Sequence, residues 1–147
     1  MLLALAFFLN TFLIIATILL HYESLSYLDK TLKRLSHIKP RFKVLIGVGI
    51  IFMTHVIEIW LFGLGFFLSL QIEGMGQLVG QTSNLFLDCV YFSFITYTTV
   101  GYGDLVAQGA IRYLTGVEAL TGLILITWSA SFVFIEMQRY WSDEKRK

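Results

Sequence analysis

The sequence has one cysteine, Cys89, and one proline, Pro40, in 147 residues. A single thiol excludes an internal disulfide and a cysteine-based metal site, and predicts a packed side chain at Cys89. Charge is also scarce. Charged residues make up 14%, and the formal net charge is +1. That balance gives no reason to expect nucleic acid as a partner. No Lys or Arg precedes Lys30, and none lies between Gln71 and Ala110. No internal repeat, low-complexity tract or soluble domain is visible. What is abundant is apolar: hydrophobic residues reach 56%, a membrane composition rather than that of a soluble core. The length fits one domain.

Residues 1–20 are apolar apart from Asn10, Thr11 and Thr17. Twenty helical residues rise about 30 Å, the thickness of a hydrocarbon core. A cleaved signal peptide needs a basic n-region, which is missing here, so this stretch is expected to be a retained transmembrane helix. Residues 21–43 carry Lys30, Lys33, Arg34, Lys39, Arg41 and Lys43 against Glu23 and Asp29. Leu25, Leu28, Leu32 and Leu35 recur at helical steps. The pattern predicts an amphipathic connector on the membrane surface, ended by Pro40. It either binds anionic lipid or is a solvated link.

Residues 44–70 form a second spanning helix, long enough to tilt. Residues 71–83 are a polar, glycine-bearing turret. Residues 84–97 are apolar and aromatic, too short to span, and are expected to be a re-entrant helix buried in protein. Ser83 or Asn84 would cap it, with Asp88 in its first turn. Its C-terminal end would favour a cation. Residues 111–137 form the third spanning helix, with Arg139, Tyr140 and Trp141 at its exit. Residues 138–147 are a short charged tail. The basic residues gather in 21–43 and after residue 137. The positive-inside rule therefore puts the connector and C-terminus in the cytoplasm and the N-terminus outside.

Between the short helix and the third span lies Thr98-Thr99-Val100-Gly101-Tyr102-Gly103-Asp104. Carbonyls of consecutive residues can share one direction only on unusual backbone, and Gly101 and Gly103 tolerate the positive φ this needs. The stretch resembles the selectivity filter of potassium channels, where backbone carbonyls replace the water around K⁺. The resemblance runs over residues 44–137 as outer helix, turret, pore helix, filter (98–104) and inner helix. It implies an all-α membrane protein with three transmembrane helices, a re-entrant pore helix and a filter loop, assembled as a homotetramer in the lipid bilayer of the cell membrane. One filter segment per chain requires four chains. Thr99, Val100, Gly101 and Tyr102 would ligate K⁺, the transported ion, and Gly103 would complete the loop. Asp104 would stand at the outer mouth. Tyr91, Phe92, Thr96 and Thr98 would support the filter. No organic cofactor is implied.

Some positions depart from the family pattern. Tyr91 and Phe92 replace a common tryptophan pair, so one bracing hydrogen bond is expected to be missing. Ile95 stands where some members carry glutamate. Leu105-Val106-Ala107 follows the filter in place of a proline. The first helix lies outside the two-helix core, and there is no arginine ladder for a voltage sensor. The alternative function is a non-conducting or weakly selective channel subunit. An enzyme would have to rest on His55 and Glu58 as a metal pair, and no second such pair exists on the chain.

Two readings stay open. Gly116 and Gly122 are either hinge points of the inner helix or close-packing glycines. His55, Glu58 and Glu118 are ionisable groups inside spans, where such groups face protein or water. Counting rise per residue puts Glu58 about 21 Å and His55 about 16 Å from the inner edge, and Glu118 about 20 Å from it. They are expected to meet behind the pore helix. His55 would bond one acid, and the other acid would be protonated or bond a hydroxyl such as that of Thr96. This cluster is either a structural strut or a pH-sensitive gate.

Overall fold

The structure, a computed structural model, describes residues 2–35, 37–80 and 85–144. The predicted cap at Ser83 or Asn84, the residue Met1 and the basic residues 145–147 lie outside the described residues. So do the side chains of Tyr140 and Trp141.

The element order is α1 (Leu2–Arg34), α2 (Pro40–Leu70), β1 (Gln77–Gly80), α3 (Leu85–Tyr97), β2 (Leu105–Gln108) and α4 (Ile111–Glu144). Three helices are long and apolar enough to cross a membrane, over Ala4–Arg34, Pro40–Leu70 and Ile111–Arg139. The fourth, Leu85–Tyr97, is apolar and short. The expected set of three spans and a short pore-type helix is therefore present.

Several boundaries differ from the expected ones. The first helix does not stop at residue 20: α1 runs on to Arg34. Neither glycine nor proline interrupts it, so nothing ends the helix at the apolar-to-polar change. The stripe of Leu25, Leu28 and Leu32 is buried against Ile50 and Ile51 of α2 and Phe132 and Val133 of α4. It faces protein, so this part of the 21–43 connector is not an amphipathic helix lying on the membrane surface. Pro40 does not end that segment but opens α2, at the first helical position, where its missing N–H is no loss. The outer helix thus starts at Pro40 rather than at residue 44. The inner helix continues to Glu144 rather than stopping at residue 137, because no breaker follows Met137.

The expected turret contains a strand. β1 pairs antiparallel with β2, from Gln77 opposite Gln108 to Gly80 opposite Leu105. In β2 the side chains of Leu105 and Ala107 are buried and their neighbours exposed, the alternation of a one-faced strand. The ribbon ties the loop before α3 to the chain leaving the 98–104 segment.

The core forms where α3 lies against α2 and α4. Phe62 and Phe66 of α2 and Cys89, Phe92 and Tyr97 of α3 are buried there, with Leu114 of α4 and Leu13 of α1. Gly63 permits the approach of α3: a Cβ there would lie 2.9 Å from Val90 Cα. Cys89 is a free, buried thiol, as expected.

Candidate functional site

α3 positions the 98–104 segment by its own C-terminal turn. The Thr99 N–H bonds the Thr96 carbonyl at 2.9 Å, and the Gly101 N–H bonds the Ile95 carbonyl at 3.0 Å. The loop thus folds back over the helix end. Its φ is positive at every second residue: 59° at Thr99, 52° at Gly101 and 79° at Gly103. A strand points successive carbonyls to opposite sides. Reversing the hand at alternate residues turns the intervening peptides round, so that successive carbonyls can share a side. Thr99 is the one non-glycine with positive φ among the described residues. A β-branched residue resists that conformation, so the loop holds strain of the kind found at functional sites.

The segment is exposed on the single chain, with Val100 at 53% and Tyr102 at 72%. Beside it lies a cavity of about 500 Å³, lined by Phe92, Ile95, Thr96, Thr99, Thr115 and Ala119 among others.

The Tyr91 hydroxyl donates to Asp104 Oδ2 at 2.7 Å. The bracing bond expected to be lost is therefore made, by a phenol. Tyrosine carries a donor at the end of a long ring, and sequence comparison with a tryptophan pair overlooked that donor. Phe92 is buried and packs edge-on against Phe66, with centroids 5.1 Å apart. Thr96 is buried. The Thr98 hydroxyl turns back to the Phe94 carbonyl at 2.7 Å.

Behind α3 the intramembrane polar residues form two groups rather than one. Glu58 is fully buried and accepts hydrogen bonds from three sides. His55 Nδ1 reaches Oε2 at 2.8 Å, and His21 Nδ1 reaches Oε1 at 2.8 Å. The Tyr97 hydroxyl donates to Oε2 as well. Glu118, also fully buried, meets the Ser93 hydroxyl. Ser93 stands in the place expected for Thr96, because residues 93 and 97 lie one helical turn apart and face the same way. The Ser93 hydroxyl has one hydrogen, and it also contacts the Ile59 carbonyl at 2.7 Å. That carbonyl can only accept. Both contacts are satisfied together when Glu118 is the neutral acid and donates to Ser93. Its other oxygen, Oε2, has no partner among the described residues.

His21 was missed by sequence reading, which placed it in a surface connector. It is fully buried, and its Nε2 lies 3.4 Å from Ser129 Oγ of α4. Asn10, Thr17 and His21 are all buried and lie seven, then four residues apart. That spacing, a polar stripe on one helix face, was the available signal.

Of the two inner-helix glycines, Gly116 is exposed, with nothing within 4 Å of a built Cβ. Gly122 is buried, and a Cβ there would fall 2.2 Å from the Tyr97 carbonyl oxygen. It is a close-approach position against the end of α3.

The family model described as "Ion channel" matches residues 54–139. A curated relative, "Two-pore potassium channel 4" of Arabidopsis thaliana, is 42% identical over 53 residues, which is 35% of this chain and 19% of that protein. The match thus covers a minor part of the relative's length. No solved structure matches the chain.

Proposed function

The chain belongs to the ion-channel family, and on that premise we propose that it is a potassium-selective channel whose pore is closed by four copies of the chain. The protein is a multi-pass membrane protein with a potassium-channel-like pore domain, and it is not an enzyme. The observation that carries the selectivity reading is the alternation of positive φ at Thr99, Gly101 and Gly103. Carbonyls of Thr99, Val100, Gly101 and Tyr102, with the Thr99 hydroxyl, then form rings around K⁺ on the pore axis. The relative's name specifies potassium, which agrees with this assignment.

Four-fold assembly is supported by what the single chain leaves open. Tyr102 is exposed, while the apolar cavity lined by Phe92 and Ile95 lies beside the loop. In a ring of four, each cavity receives the side chains of a neighbour's loop. Asp104, held by Tyr91, stands at the outer mouth and attracts cations. In this reading α1 faces outside at its N-terminus, and the Lys30–Lys43 turn and the C-terminus face the cytoplasm. The basic turn sits at the level of anionic headgroups.

Liposomes holding the purified protein and a K⁺ gradient should polarise, and a Na⁺ gradient should not substitute. Equal passage of both ions through an intact tetramer defeats the selectivity reading. Gly101→Ala should abolish flux, because Cβ opposes positive φ. Native mass measurement should give four chains, and a monomer or dimer as the sole species in lipid defeats the assembly. Cysteines placed at residues 1 and 147 should label from opposite faces.

A further inference from the structure

We infer that His21, His55 and Glu58 form a transition-metal site of the Zn²⁺ class, buried between α1 and α2. Their ligand atoms lie within 4.8 Å of one another. Two imidazoles and a carboxylate are an established zinc donor set, with bonds of about 2.0–2.2 Å. Tetrahedral bonds of that length put ligand atoms about 3.3 Å apart. His21 and His55 each already lie 2.8 Å from a Glu58 oxygen, and the remaining ligand atoms are within 4.8 Å, so ring and carboxylate rotation closes the set.

The surroundings fit a metal as well as the donors do. Tyr97 Oη lies 3.0 Å from His55 Nδ1 and bonds Glu58, so the phenol oxygen stands beside two of the three donors. Metal binding at the two Nδ1 atoms requires each ring to carry its hydrogen on Nε2. At His21, Ser129 Oγ faces Nε2, and a hydroxyl can donate to one tautomer and accept from the other. Ligand histidines hold their second nitrogen against such a partner. Access runs past His55, whose side chain keeps 17% exposure and borders a cleft of about 410 Å³ with Ile51, Ile126 and Ser129. A bound metal joins α1, which lies outside the two-helix pore, to α2 and to Tyr97, the residue preceding the 98–104 segment.

The test uses the full-length protein in lipid nanodiscs, stripped with chelator and titrated with Co²⁺. Tetrahedral nitrogen–oxygen ligation gives visible bands many-fold stronger than those of octahedral Co²⁺. The expected result is one such site per chain, displaced by Zn²⁺, kept in His37→Asn and lost in His21→Asn and His55→Asn. X-ray absorption at the zinc edge of the wild type reports the shell without any variant, and should show two imidazole nitrogens with oxygens. Weak octahedral bands, bands surviving in the double His21→Asn/His55→Asn variant, or a shell without two imidazoles overturns the proposal. The readouts are spectroscopic, so their outcome is separate from whether the chain conducts K⁺.

Discussion

Replacing Gly122 by alanine distinguishes a hinge from a packing contact at the end of the pore helix. In a helix interior the change alone favours the folded state by about 1 kcal/mol. At Gly122 the new Cβ falls 2.2 Å from the Tyr97 carbonyl oxygen and 2.9 Å from Tyr97 Cγ. Carbon–oxygen contacts settle near 3.3 Å, so α3 and α4 must part by about 1 Å. The obstruction is backbone and cannot rotate away. Overpacking of this kind costs about 1–3 kcal/mol, and a rigid partner puts it toward the upper end. The net loss is about 1–2 kcal/mol per chain. The displaced group is the carbonyl of Tyr97, two residues before Thr99, so K⁺ flux should fall with stability. Gly116→Ala is the matched control. Nothing lies within 4 Å of its Cβ, and it should gain stability with flux unchanged. Thermal unfolding of the assembly in nanodiscs, read beside liposome flux, measures both. A Gly122→Ala protein as stable as the wild type refutes the close approach. A Gly116→Ala protein that is stable but opens poorly shows that Gly116 flexes during gating.

The other predictions concern polar contacts. Tyr91→Phe removes only the hydroxyl on Asp104 and should hasten the decay of flux in low K⁺ without changing assembly; an unchanged decay means that this bond does not hold the mouth. Glu118→Gln keeps a donor for Ser93, so its unfolding midpoint should stay near wild type, whereas Glu118→Ala should lose about 1–3 kcal/mol by leaving Ser93 and a void. Equal losses in the two variants would mean that the hydrogen bond to Ser93 is not what Glu118 contributes to stability.

The spans and the 98–104 segment were legible because each has a one-dimensional signature. Apolar length marks a span, and Thr99-Val100-Gly101-Tyr102-Gly103 has few uses other than lining a pore. The i, i+3 spacing paired His55 with Glu58, and depth arithmetic put Glu118 level with Glu58, since rise per residue converts position into height. It could not give azimuth. Glu118 bonds Ser93 of α3 rather than His55. Azimuth likewise hid His21. A polar residue following an apolar run reads as leaving the membrane, but here it turns inward to Glu58. The 71–83 turret hid a strand for another reason: β1 gains its pairing only from residues 105–108, beyond α3.

The two buried acids make sense as parts of one device. The 98–104 segment holds a strained Thr99 and has little side-chain packing within its own chain. Such backbone persists only where its anchor is over-determined. The anchor is α3, and its Ser93 and Tyr97 face the same side one turn apart. Tyr97 donates to Glu58, and Ser93 meets both Glu118 and the Ile59 carbonyl. Glu58 holds three hydrogen-bond contacts, and Glu118 holds one. Burying either inside a span is costly, and greasy contacts alone would hold α3 with less loss of solvation. Apolar packing, however, permits sliding and rotation, since Leu against Leu is nearly indifferent to a small shift. A hydrogen bond to a buried acid is not: a shift of about 1 Å breaks it and leaves the group unpaired. The acids thus fix the rotation and height of α3, which decide where the carbonyls of residues 99–102 stand. α1 joins the same device through His21, so this helix outside the two-helix pore shares in setting the loop.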